Sequence, residues 1–280
     1  MPDSQAATVN RPRTVTATIN YVVDTGRLEA FHANDHTLDT VQLDPHVVEI
    51  TDARGVVPAP TLDRNGFELF DFPSAVTDWR DPVQPGTVHP AEVQAFIARV
   101  TGADAVVIAG PPILRFGERS AEAGTRDNSN AARLVHSDTA IATAQTQTRD
   151  ANPHPDRPIR RSAHYNVWRA FSGAPIDVPL TVCDWSSVSA QDVVEATAAF
   201  DRDGAVVWSF TAMTFRYSPA HRWFSFSNME PHEVIVFKRF DTDADKPRFL
   251  PHTAFTDPTI AADVPPRASV EMRAIAYWYS

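Results

Sequence analysis

The last quarter of the chain restricts its fold more than any other part. Four segments dense in Val, Ile, Phe, Trp and Tyr follow one another there: Ala205–Tyr217, Arg222–Ser227, Val234–Phe240 and Ala268–Tyr279. Such residues suit a pleated, half-buried surface, and strands in succession without intervening helices argue against a wound β-α-β sheet. Further strands are predicted over Arg13–Val23, where Val15, Ala17, Ile19 and Tyr21 alternate with Thr14, Thr16, Thr18 and Asn20, and over Val47–Thr51 and Ala105–Ala109. Two helices are predicted. Over Pro90–Thr101, Val93, Phe96, Ile97 and Val100 recur at helical spacing before Gly102. Over Ser189–Phe200, Ser189 and Asp192 have capping-box spacing ahead of Val193, Val194 and Ala198. The expected fold class is mainly β with flanking helices, a sandwich or jelly roll. Residues 1–12 read as a flexible N-terminal tail.

Composition narrows the function. With 43% hydrophobic and 21% charged residues the chain can bury a sizeable core. Its 25 Lys and Arg against 35 Asp and Glu give a formal charge of -10, and no basic run offers a phosphate-binding surface, so nucleic acid is not an expected partner. No stretch approaches the roughly 20 apolar residues of a membrane-spanning helix, and the first residues carry no export signal, so a cytoplasmic location is expected. The single cysteine, Cys183, cannot form an internal disulfide and removes cysteine-based zinc sites. Any metal then falls to His, Asp or Glu. Dinucleotide, P-loop and nucleophile-elbow motifs are missing.

Among ten histidines, two stand in His-x-Asp triplets. In His136-Ser137-Asp138 the period of a strand puts both side chains on one face. His154-Pro155-Asp156 instead lies among three prolines over residues 152–158, which forbid a regular strand. One further ligand would complete the 2-His-1-carboxylate arrangement that leaves positions open on iron(II), and His221, His232 and His252 lie downstream. Beyond His252, Arg267-Ala268-Ser269 sets a guanidinium and a hydroxyl on one face, suited to a carboxylate. Arg267, Ser269, Glu271 and Arg273 share the odd-numbered face of the last segment, opposite Ala268, Val270, Met272, Ala274 and Ala276. Taken singly, His136 also reads as a half-buried histidine bonded to Asp138, and Arg267 as a surface arginine paired with Asp263 or Glu271.

His136-Ser137-Asp138, Tyr165-Asn166-Val167-Trp168-Arg169, residues 179–184, Phe237-Lys238-Arg239-Phe240-Asp241, Pro251-His252-Thr253-Ala254-Phe255 and residues 265–273 together resemble the family related to gibberellin desaturase and the cephalosporin 7α-methoxylation component. The resemblance runs from about residue 14 to 280. It implies a double-stranded β-helix (cupin-like jelly roll) over residues 13–280 as a single domain. It also implies a dioxygenase that uses iron(II), 2-oxoglutarate and dioxygen to hydroxylate, desaturate or oxidatively cyclise a small specialised metabolite. His136, Asp138 and His252 would then bind iron. Arg267, with Ser269, would hold 2-oxoglutarate; Arg273, about 20 Å farther along an extended strand at ~3.3 Å per residue, is the second candidate. The 116 residues from His136 to His252 call for a helical insertion near 186–202. Tyr165, Asn166 and Arg169 are the substrate-binding candidates, although period two sets Tyr165 and Arg169 opposite Asn166 and Trp168. Two other readings stay open: a non-catalytic jelly-roll partner binding a small acid, and a cupin-type metal-dependent hydrolase or isomerase.

Overall fold

The alternation that begins at Thr14 becomes the first strand of a computed structural model, which describes residues 12–202 and 204–280; residues 1–11 of the expected tail lie outside the described residues. In chain order the elements are β1 (Thr14–Val22), β2 (Glu29–His32), β3 (Leu43–Asp52), β4 (Phe67–Asp71), α1 (Gln84–Thr101), β5 (Ala105–Ile108), β6 (Ile113–Phe116), β7 (His136–Ser137), α2 (Ile141–Asp150), β8 (Ile159–Ala170), β9 (Leu180–Cys183), β10 (Val193–Arg202), β11 (Ala205–Phe215), β12 (Trp223–Ser225), β13 (Glu233–Asp241), β14 (His252–Ala254) and β15 (Ala268–Tyr279). One sheet runs β1-β3-β12-β9-β14-β7-β11-β10-β2; the other runs β4-β13-β8-β15-β5, with β6 also pairing β15. The expected mainly-β jelly roll is what the chain adopts.

The sheets pack face to face through Leu180 and Val182 of one and Trp168, Ile235 and Phe237 of the other. The outer face of the second sheet carries Tyr165, Val167, Val234, Val236, Met272 and Ala274, and α1 lays Val93, Phe96 and Ile97 on it. The predicted polar and apolar faces of β15 are therefore real: its even-numbered residues make the core under α1. The helix starts earlier than predicted, at Gln84 with Pro85 in its first turn, and stops where Gly102 turns left-handed at φ 65°.

The helix expected over Ser189–Phe200 does not form, so the chain has no helical insertion near 186–202. The capping box is present, but it caps one 3-10 turn, Ala190–Asp192. From Val193 the chain is β10, antiparallel to β11 with Ala196 opposite Ala212. β-Branched Val193, Val194 and Thr197 lose little in a strand, and the long ladder to β11 outweighs a weak helical stripe. Conversely α2 goes unpredicted, because Ile141–Asp150 is mostly polar and buries just Ala144 and Thr148.

Phe96 is 3% exposed and stacks on Phe72 at a centroid distance of 4.1 Å. Phe96→Ala is expected to lower the unfolding free energy by about 3 kcal/mol or more, read as a lower urea midpoint at unchanged slope.

Candidate metal centre

Two strands barely long enough to pair bring the site together. His136 opens β7 and His252 opens β14, and the two are direct antiparallel partners. Asp138 follows on the same face as His136. The imidazole nitrogens and a carboxylate oxygen of His136, Asp138 and His252 lie within 4.8 Å of one another. Asp138 Oδ1 stands 3.7 Å from His136 Nε2 and 3.9 Å from His252 Nε2.

The surroundings fix which atoms face the centre. His136 Nδ1 donates to the Leu134 carbonyl at 2.7 Å, and His252 Nδ1 to the Leu250 carbonyl at 3.0 Å. A carbonyl accepts only, so both Nδ1 atoms carry the proton and both Nε2 lone pairs are free. Asn166 Nδ2 donates to Asp138 Oδ2 at 2.7 Å, while Arg239 and Arg273 stand 3.8 and 3.6 Å from the same carboxylate. Burial opposes the Asp138 charge, but Arg273, His252, Arg239 and His136 outweigh it and hold the carboxyl well below its usual range. Burial pushes His136 down to about 4, helped by His252, and lowers His252 as well. Two neutral imidazoles and one carboxylate thus face each other, a donor set that could hold a divalent metal on three corners.

Arg267 is 2% exposed, which excludes the surface-arginine reading. Its Nη1 donates to the Val178 carbonyl at 2.9 Å, its guanidinium lies 5.7 Å over the Trp168 ring, and its Nε is buried with no partner among the described residues. Burial, then Arg115 and Arg133, brings its pKa down to about 9. The nearby carboxylates are already engaged, Glu118 by Arg133 at 2.5 Å and Asp177 by Arg119 at 2.7 Å. A narrow cleft connects Arg267 and Trp168 to His136 and His252.

Ser269 is wholly buried and donates to the Arg115 carbonyl at 3.1 Å. Arg273 does not line the cleft. It is bonded to Glu271 at 3.0 Å and lies where two larger cavities meet, of about 600 and 560 Å³. The first of these reaches His136 and Asp138 and has Phe31, Phe200 and Phe210 in its walls. Of the substrate candidates, Asn166 faces the centre but is bound to Asp138. Tyr165 and Arg169 do not reach it: Tyr165 sits in the core under α1, and Arg169 lies between Phe72 and Trp79, 5.1 and 5.3 Å from their rings. Odd-numbered positions of β8 point away from the cavity, as the period of the strand requires. His154 lies in an exposed turn.

Two arginines to which the sequence reading gave no role border the centre. Arg239 is the extra residue where the β13–β8 register shifts, which turns it inward beside Asp138. Arg115 lies on β6, a strand of four residues with no readable alternation. Neither leaves a periodic signal.

A family model described as an oxidoreductase/YMDC permease-like domain matches residues 19–277. Among the described residues no helix is long and apolar enough to cross a membrane. The chain is 27% identical to oxidoreductase R1 of Phoma sp., over 88% of this chain and 91% of that protein. It is 26% identical to the Fe(II)/2-oxoglutarate-dependent dioxygenase nvfI of Aspergillus novofumigatus, over 83% and 84%. To the gibberellin cluster GA4 desaturase of Gibberella fujikuroi it is 24% identical, over 82% and 86%. The fold matches a solved structure of the iron and alpha-ketoglutarate-dependent endoperoxidase NvfI with a TM-score of 0.81 at 23% identity, covering 97% of this chain and 99% of that one.

Burial also depresses His89, to about 4, and His164. An unfolded chain binds protons at these histidines near pH 6.5 while the folded chain does not, so stability rises with pH between the two values. Metal-free protein is expected to be fully stabilised by these groups above about pH 6.5 and to lose that contribution as pH falls toward 4. Melting temperatures measured across that interval check it; a flat profile would contradict the neutral imidazoles.

Proposed function

Since the chain belongs to the oxidoreductase/YMDC permease-like domain family, we propose that it is an iron(II)- and 2-oxoglutarate-dependent oxygenase acting on a small specialised metabolite. The observation that carries this reading is the convergence of His136, Asp138 and His252 on one point inside the jelly roll. Relatives over most of its length bear the names of such enzymes.

The residues fit both groups. His136 and His252 would give iron their free Nε2 atoms. Asp138 would give Oδ1, because Asn166 occupies its other oxygen. Arg267, buried with an unpartnered Nε at the end of the cleft, would hold the distal carboxylate of 2-oxoglutarate, and Trp168 packs against its guanidinium. Ser269 supports Arg267 and Arg115 through the strand backbone, its one proton being given to the Arg115 carbonyl. Arg273 is assigned to the metal side: it faces Asp138 and is held by Glu271.

Bound together, iron and 2-oxoglutarate supply dioxygen activation and the oxidising power for attack on an unactivated C–H bond, with the keto acid leaving as succinate and carbon dioxide. The protein's part is to position and to keep water out. The roughly 600 Å³ cavity beside His136 and Asp138 is of the size that takes a small organic ligand. Its phenylalanine walls suit an apolar carbon skeleton, and Asn128 and Arg273, shared with the neighbouring cavity, offer polar handles.

Anaerobic titration with iron(II) and 2-oxoglutarate is expected to produce the weak visible charge-transfer band that needs both bound at once. Folded, metal-loaded protein without that band would overturn the assignment. His252→Ala is expected to abolish iron retention while His154→Ala keeps it, measured by metal analysis after gel filtration. Arg267→Gln is expected to retain iron but to need at least tenfold more 2-oxoglutarate to reach half the band, as loss of a charge-assisted bond implies.

A further inference from the structure

Arg115, like Arg267, is a guanidinium near the centre with no ionic partner among the described residues. Its Nη1 donates to the Asn130 carbonyl at 3.0 Å, and no carboxylate of the described residues lies within 4.0 Å of it. Arg133, by contrast, is paired with Glu118 and Arg273 with Glu271. Register explains where Arg115 points. It is the cross-strand partner of Ser269, so its side chain rises from the inward face that also carries Ser269 and Glu271. It borders both the large cavity beside His136 and Asp138 and the narrow cleft that ends at Arg267.

Arg267 therefore shares the cleft with a second cation. Burial lowers both, and Arg115 makes the Arg267 charge harder to keep; Glu271, which borders the same cleft and favours the Arg115 charge, is itself bonded to Arg273. Arginine does not shed its proton near neutral pH, so the strain is relieved by an anion and not by titration. Glu118 and Asp177 favour the Arg267 charge, but both are bound by other arginines, and Asp177 meets Arg267 only through the backbone N–H. A ligand with two negative charges matches what is left over.

We propose that Arg115 is a second cosubstrate-binding arginine, forming with Arg267 a two-guanidinium clamp on the carboxylates of 2-oxoglutarate. The clamp rests on the oxygenase reading and goes beyond it: one arginine would suffice to anchor the distal carboxylate. Charge-assisted bonds of this kind are the strong ones, and the planar fork adds direction that a lysine lacks.

The test is an anaerobic titration of the iron(II)-loaded chain with 2-oxoglutarate, in the absence of organic substrate, followed by the visible band and by calorimetry. Arg115→Gln is expected to weaken 2-oxoglutarate binding about tenfold or more with iron affinity unchanged, and Arg115→Lys to recover part of the loss. If Arg115→Gln does not fold, as judged by thermal unfolding, Arg115→Lys alone decides: binding about threefold weaker or more supports the clamp, binding equal to wild type overturns it. Affinity within twofold of wild type in a folded Arg115→Gln protein overturns the clamp, also where the KM for the organic substrate rises, since Arg115 then serves the substrate. A wild-type protein that holds iron but does not bind 2-oxoglutarate defeats the oxygenase reading and the clamp together. Binding by wild type and variant alike defeats the clamp alone.

Discussion

One cross-strand pair holds the arrangement together: His136 of β7 against His252 of β14. The two residues are far apart in the chain, and the strands that carry them are two and three residues long. Strands so short cannot hold a register alone. They are held by longer neighbours, β11 on one side and β9 on the other, which pair with β7 and β14. The tight cluster of imidazoles and carboxylate is thus a product of the whole sheet, and its precision is borrowed from backbone ladders that carry none of its chemistry.

The opposite wall supplies charge. Asp138 would be costly to bury alone, and Arg239, Arg273 and Asn166 make that burial tolerable. The arginines in turn are partly neutralised by Asp138 and Glu271. Arg267 and Arg239 each keep a buried Nε without a partner among the described residues. Buried polar atoms of this kind are rare in settled cores, and they collect where a ligand is to arrive.

Much of this was legible in the sequence where periodicity is strong. β1, β13 and β15 announce themselves by alternation or by density of β-branched and aromatic residues, and the two faces of β15 could be read residue by residue. His136, Asp138 and His252 needed the wider resemblance, since spacing alone does not choose among His221, His232 and His252. The misread segment was Ser189–Phe200, where a real capping box preceded residues that the sheet then claimed. Tyr165 and Arg169 failed as substrate contacts for a reason already visible, the period of two that sets them against Asn166. The roles of Arg115 and Arg239 at the centre were not legible because one sits on a four-residue strand and the other at a register shift, and neither gives a pattern that counting can find.

β15 serves two masters. Its even-numbered side chains are mortar between sheet and helix, while Glu271 and Arg273 on the odd-numbered side border the site's cavities. Changes of residue on one side can accumulate without disturbing the other. A change of length cannot: inserting or deleting a single residue between Arg267 and Arg273 would rotate hydrocarbon into the cavities and arginines into the mortar, losing cohesion and chemistry at once.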